Sequence, residues 1–267
     1  MPNPVILSVN AGSSSIKYSL YEKTDSNSVN ILLDASISGL TAPPSQFTYT
    51  LYDTTSQTRE SKEIESFKAE EIDVSNHEDA FRYFLEFLKS GKGRKTKGGV
   101  IGLDRISVVC HRIVHGGPEP RPLIITKQEL HHLDELSDLA PLYSPTSLSA
   151  QLLSHNPLRC LFVSPTALFG VMSLSWLADC RHNYAELVIV RACLAQLKGI
   201  QNVAFFDSSF HMTLEKKRWM YPIDPKIAET KGIRKYGFHG LSYSYIIRAV
   251  AKYLNKVYES LGFIVGS

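Results

Sequence analysis

Residues 5–20 read VILSVNAGSSSIKYSL. Val5 to Val9 is a short apolar run, Gly12 to Ser15 is a turn, and Ile16 to Tyr21 resumes apolar alternation, which predicts a β-hairpin opening the domain. Further strand-like runs follow at Asn30 to Ile37 and Phe47 to Leu51. The segment Asn76 to Ser90, NHEDAFRYFLEFLKS, begins with a capping residue and carries Phe81, Phe84, Leu85 and Leu88 at helical spacing, so it predicts an amphipathic helix. Ile106 to Val114 is β-branched and apolar and runs into Gly116-Gly117. Thr126 and Glu129 have the spacing of a capping box for a helix reaching about Leu139. Tyr184 to Lys198 and Leu241 to Lys256 read as helices, with a strand at Val203 to Phe206 between them. Strands first, then strands alternating with helices, imply an α/β fold with a mixed sheet.

The 267 residues suit one large domain or two ordinary ones. Hydrophobic residues make up 43% and charged residues 21%, near globular averages, which argues against a disordered, collagenous or coiled-coil chain. The net charge is +3, and Lys and Arg are spread along the chain, so nucleic acid is not an expected partner. Cys110, Cys160, Cys180 and Cys193 form no CxxC pair and no Cys/His ligand spacing; neither zinc nor a disulfide framework is signalled. The opening MPNPVILSVN lacks the basic and apolar regions of a secretory signal, so the expected location is the cytoplasm. One segment stands apart. From Tyr143 to Ala178 the only charge is Arg159. Its uncharged run Cys160 to Ala178 approaches bilayer-spanning length, but Pro165, Gly170 and the absence of flanking Lys/Arg clusters argue against a span.

Four motifs carry chemistry. In the hairpin turn, Gly12, Ser13 and Ser14 let backbone amides approach an anion, Asn10 can orient a metal-bound water or phosphate, and Lys17 adds a point charge; a plain Gly/Ser turn is the alternative. In HRIVHGGPEP, Arg112 within an apolar strand reads as a bidentate anion clamp or as an edge-strand salt-bridge partner. In NVAFFDSSFHMT, an apolar strand delivers Asp207, either into a ligand crevice or as a helix N-cap. In GIRKYGFHGLSYSYI, His239 sits between glycines before a helix, where an imidazole can meet an anion or merely fill a turn.

Taken together, SVNAGSSSIKYSL, HRIVHGG, LAPL, FFDSSFH and KGIRKYGFHG, in this order, resemble the acetate kinase family of the acetate and sugar kinase, actin-like superfamily. The wording FFDSSFH and YGFHG is similar to fungal members. The resemblance covers roughly Pro4 to Leu142 and His182 to Lys256. It implies an actin-like, RNase H-like ATPase fold and reversible, Mg²⁺-dependent transfer of the γ-phosphoryl group of ATP to acetate, giving acetyl phosphate and ADP. By motif it implies that Asn10 helps place the metal, and that Lys17 with Gly12, Ser13 and Ser14 takes the nucleotide phosphates. It further implies that Arg112 grips the acetate carboxylate, that Val114, Leu142 and Phe238 form the methyl pocket, and that Asp207, His239 and His182 are catalytic. Such a reaction needs positioning and donors around the equatorial oxygens more than covalent help. A small apolar pocket separates one methylene by only about 1–3 kcal/mol, so propionate is a possible substrate. Family members are usually homodimers, and no membrane partner is implied.

The sequence departs from the family pattern in two places. LAPL is normally followed at once by His-Asn, whereas here Tyr143 to Arg181 intervene before His182-Asn183; His155-Asn156-Pro157 also resembles that motif, but the separation of His182 from Asp207 fits the family better. Leu142-Tyr143 can be encoded around a splice donor and Cys180-Arg181 around an acceptor, and Val257-Tyr258 can encode another donor. Residues 143–181 and 257–267 therefore read as translated intron. The expected organisation is a first domain over residues 1–205, with the atypical 143–181 insertion, and the start of a second, incomplete domain over 206–267. On this reading the chain lacks the family's Gly-rich nucleotide motif, a second Arg and a Mg²⁺-binding Glu, and is expected to be inactive alone. The competing function is a catalytically dead anion-binding or interaction protein derived from such a kinase.

Overall fold

A computed structural model describes residues 3–24, 28–53, 62–91, 102–138, 171–230 and 232–257. The chain divides into two compact units. The first comprises Met1–Arg112 with Ile124–Val203, and the second Ile113–Leu123 with Ala204–Ser267.

The opening hairpin forms as its sequence predicts. Strand β1 (Val5–Ala11) pairs antiparallel with β2 (Ser15–Lys23), which sets Asn10 opposite Lys17. The series continues antiparallel through β3 (Val29–Ser38), β4 (Ser45–Asp53) and β5 (Lys62–Ile72). On the other side of β1, β6 (Ile106–Ile113) pairs parallel with it. With β7 (Leu123–Ile124) and β8 (Gln201–Phe206) the eight strands run in the order β5-β4-β3-β2-β1-β6-β8-β7. Antiparallel and parallel pairings share one sheet, as the mixed α/β reading requires.

Period-two burial makes the core of the first unit. Val5, Leu7, Val9 and Ala11 of β1 and Ile16, Tyr18 and Leu20 of β2 are buried. Helix α1 (His77–Lys89) lays Phe81, Phe84, Leu85 and Leu88 into that core. The Tyr18 and Phe84 rings stack with centroids 4.1 Å apart, and Phe87 meets Phe47 edge-on at 4.9 Å. Asn76 caps α1, its side chain accepting from the Asp79 amide at 2.9 Å while its Nδ2 donates to the Asp79 carboxylate; the pairing satisfies an amide that the helix leaves open.

Helix α2 (Lys127–Asp138) follows Thr126, whose hydroxyl accepts from the amides of Gln128 and Glu129 at 3.3 and 3.4 Å. Helix α3 (Val171–Gln196) starts well before Tyr184, where the apolar pattern placed its beginning. It packs on α1, α2 and β1. Ala185, Leu187, Ile189, Val190, Ala192 and Cys193 are buried along it, together with two polar residues, Asn183 and Glu186. Among the described residues no helix is long and apolar enough to cross a membrane; most of the uncharged run Cys160 to Ala178 lies outside them.

Strand β5 is the longest element that the apolar pattern did not announce. Its sequence, KEIESFKAEEI, is rich in charge, and it forms an edge of the sheet. Charged edge strands discourage pairing with other chains. A bulge between the Phe47–Glu70 and Tyr49–Phe67 pairs gives Ala69 a φ of 35°, and such a bulge further twists an edge.

In the second unit, a 3₁₀ segment Asp207–Thr213 follows β8. Two short helices, α4 (Lys216–Trp219) and α5 (Pro225–Thr230), precede α6 (Gly240–Tyr253), which packs on the 3₁₀ segment. The Arg234 guanidinium lies 4.2 Å from the centroid of the Trp219 ring, within cation–π range.

Candidate functional site

Six of the sequence-predicted residues fall in the first unit as described: Asn10, Gly12, Ser13, Ser14, Lys17 and Arg112. The β1–β2 turn is held at three points. The Gly12 amide donates to the Ser15 carbonyl at 2.8 Å, the Leu40 amide donates to the Ser14 carbonyl at 3.1 Å, and His77 Nε2 lies 2.7 Å from the Gly12 carbonyl oxygen. Ser13 and Ser14 are exposed. A Cβ on Gly12 would come no nearer than 3.6 Å to another residue, the Ser15 carbonyl oxygen, so the fold has room for a larger side chain here. What the glycine leaves is open backbone that an anion can approach. Lys17 is exposed and lines a trough of about 510 Å³ with Ser19, Asp34, Ser36, Thr48 and Thr50.

Arg112 leaves β6 toward Asn10 on the neighbouring β1. Its Nη1 donates to Asn10 Oδ1 at 3.3 Å and stands 3.9 Å from Glu186 Oε1 on α3. Glu186 is buried, its side chain 1% exposed against 26% for Arg112. Strand β6 lies inside the sheet, between β1 and β8, and Glu186 is buried, so Arg112 is not the edge-strand residue of the alternative reading; it is a partly open guanidinium that is also ion-paired. A Mg²⁺ site does not fit the described donors: Asn10 offers one amide oxygen, which already accepts from Arg112, and no group of three or more His, Cys, Asp or Glu residues able to hold a metal occurs among the described residues.

Val114, Asp207, Phe238 and His239 belong to the second unit. Asp207 follows directly on β8, almost fully buried, and its Oδ1 accepts from the Leu241 amide in the first turn of α6 at 3.4 Å. A carboxylate at a helix N-terminus is favoured by the exposed amides there, so Asp207 serves that helix start whatever else it does. Ser208 donates its amide to the Val114 carbonyl at 3.3 Å and accepts from the Gly116 amide through its hydroxyl at 3.1 Å. Val114 is buried, and Phe238 is half-buried with its carbonyl 3.3 Å from His211 Nε2. His239 has φ 59°, ψ 19°, a left-handed conformation, at the N-cap of α6. Its side chain makes no capping bond there, and its ring is exposed, edge-on to Tyr243. Positive φ at a non-glycine residue is strained and concentrates at functional sites.

His115 is held neutral. Its Nδ1 accepts from the Gly117 amide at 2.9 Å and its ring lies 4.3 Å from Tyr236; burial pushes its pKa below the ordinary histidine value.

Leu142 and His155 lie outside the described residues. His182 lies on α3, and its side chain is likewise outside what is described. The motif reading missed Glu186 and His77. Glu186 had a signal, a lone carboxylate in the apolar helix run AELVIVRACL, since a buried Glu is rare without a partner. His77 had none, because its role comes from a contact across 65 positions of sequence.

The structure superimposes on the crystal structure of Porphyromonas gingivalis acetate kinase with a TM-score of 0.62 and 25% identity, over 96% of this chain and 50% of that one. A Francisella tularensis propionate kinase aligns at 0.63 and 22%, which bears on the fold alone. The fold is therefore the actin-like ATPase fold of the acetate and propionate kinases. The Acetokinase family pattern matches residues 5–157 and 159–266, and the chain belongs to that family. The match runs through residues that the motif resemblance left out, and both His155 and His182 lie within it. Among curated relatives, a probable acetate kinase of Emericella nidulans is 37% identical over 264 residues, 99% of this chain and 50% of the relative. One of Chaetomium globosum is 38% identical over 257 residues, 94% of this chain and 44% of the relative. The chain spans about half the length of the curated relatives it matches.

Proposed function

We propose that these residues form part of an acetate kinase, which transfers the γ-phosphoryl group of ATP reversibly to acetate to give acetyl phosphate. Arg112 carries this reading: it is a partly exposed guanidinium in β6, hydrogen-bonded to Asn10 and 3.9 Å from the Glu186 carboxylate, and such a fork suits a planar carboxylate. Arg112 grips acetate, while Val114, Leu142 and Phe238 receive its methyl group. The Gly12–Ser14 turn and Lys17 take nucleotide phosphates. Asp207 is the catalytic carboxylate, and His239, with His182, stabilises charge on the phosphoryl in flight. Dependence on Mg²⁺ rests on the family. The cytoplasm is the proposed location, and residues 1–205, carrying the 143–181 insertion, and 206–267 the proposed first domain and start of the second; homodimers are usual in the family.

Alone, the 267 residues are proposed to turn over negligibly, because the relatives use about twice this length and loss of even one preorganised donor can cost about 10²-fold to 10³-fold in rate. Two measurements test the reading. Acetyl phosphate formation from acetate, ATP and Mg²⁺ is expected to be absent for the 267-residue chain; a rate like that of the full-length relatives overturns this part. Acetate is still expected to bind, with Arg112→Ala weakening it at least tenfold; equal binding by the variant overturns the assignment of Arg112. Titration with MgATP separates a nucleotide-binding remnant from an anion-binding one.

A further inference from the structure

Glu186 is poorly explained by packing. Along α3, Ala185, Leu187, Ile189 and Val190 are apolar and buried, with the buried Asn183 one turn before, and a well-packed apolar side chain in place of a buried ion pair is often neutral or stabilising. Burial of a carboxyl group without compensation is costly. The cation that faces it is Arg112, at 3.9 Å from Nη1, and the same nitrogen donates to Asn10. Two elements, α3 and β1, thus converge on one atom of a guanidinium rooted in β6. Such a two-sided hold restricts rotation of the fork. The side chain of Arg112 is also the more open of the pair, so part of the group that Asn10 and Glu186 approach meets solvent.

We propose that Glu186 is a positioning residue for Arg112: its buried carboxyl on α3 fixes the guanidinium, with Asn10, in the orientation that receives the acetate carboxylate. This rests on the assignment of Arg112 as the acetate ligand, but it predicts a property of Arg112 that is measurable without acetate. Preorganising a ligand group lowers the ordering cost of binding, so loosening the fork weakens acetate without removing the charge that attracts it.

The test compares the 267-residue chain with Glu186→Gln, using nitrogen-15 NMR of the Arg112 side chain. Slow rotation about Nε–Cζ gives separate Nη1 and Nη2 signals in the unsubstituted protein. In E186Q, rotation is expected to accelerate at least tenfold and merge them, and the dissociation constant for acetate is expected to rise about tenfold. Unchanged rotation overturns the proposal, as does faster rotation with unaltered acetate affinity. If the unsubstituted chain binds no acetate but rotation still accelerates in E186Q, the hold on Arg112 stands and the acetate assignment of Arg112 fails. Where E186Q loses the near-ultraviolet circular dichroism of the folded chain, Glu186→Asp serves instead. It keeps the charge but withdraws it by one methylene, and the same acceleration is expected.

Discussion

Acidification from pH 7 to pH 4 is expected to remove roughly 3 kcal/mol of stability from the first unit through one side chain, His111. His111 lies in β6, 2% exposed, with Nε2 2.8 Å from Asn202 Oδ1. Asn202 in turn donates through Nδ2 to the Ile200 carbonyl at 3.0 Å, which leaves its Oδ1 as the acceptor and places the His111 proton on Nε2. Burial lowers the His111 pKa to about 4, against a smaller opposing effect of the Asn202 hydrogen bond. In the unfolded chain the same imidazole takes its proton near pH 6.5. Between these values the unfolded state binds the extra proton, so stability falls as the pH drops from about 6.5 toward 4 and is unaffected by His111 above that window. Denaturant unfolding at pH 7 and pH 4 measures the drop. In His111→Gln, whose amide can still donate to Asn202, the chain is less stable at neutral pH but loses the share of its acid sensitivity that His111 carries. An undiminished acid drop in H111Q would assign the effect to other groups.

Gly240→Ala is expected to destabilise the second unit by about 3 kcal/mol, at the upper end of ordinary overpacking costs. A Cβ at Gly240 would collide with the Asp207 carbonyl oxygen and with Phe210 Cβ. The first of these is backbone, so no rotamer change relieves it. The α6 start would have to move away from the 3₁₀ segment, carrying the Leu241 amide away from Asp207 Oδ1. Gly199→Ala is the control: its φ is 81° but nothing lies within 4 Å of the added carbon, so only the backbone penalty of about 1 kcal/mol applies. Thermal unfolding of the two variants should differ clearly. A G240A protein as stable as G199A would show that the close approach of α6 to Asp207 relaxes freely.

The parts of the fold legible in sequence are those in which one local rule acts alone. The β1–β2 hairpin follows from two apolar runs around a small-residue turn, and α1 from a cap followed by aromatic residues at helical spacing. Strand β5 was hidden because edge position, not burial, selects its residues, and charge at an edge looks like a loop. The start of α3 was hidden because its first residues carry no helical periodicity against which to set a boundary. At the site, residue types were legible and their partners were not. Arg112 and Asp207 stood out as charges in apolar strands. That Arg112 is tied to Glu186, or Asp207 to the start of α6, depends on distances across the fold that no local pattern encodes.

The division of the chain into two units has a bearing on synthesis. Ile113–Leu123 belongs with residues that begin at Ala204, 81 positions after Leu123. At ribosomal rates of about 5–20 residues per second, this short piece emerges some 4–16 seconds before its partners exist. Val114 and Gly116 must wait that long for Ser208 and Phe206, so the second unit cannot assemble in the order in which it is made.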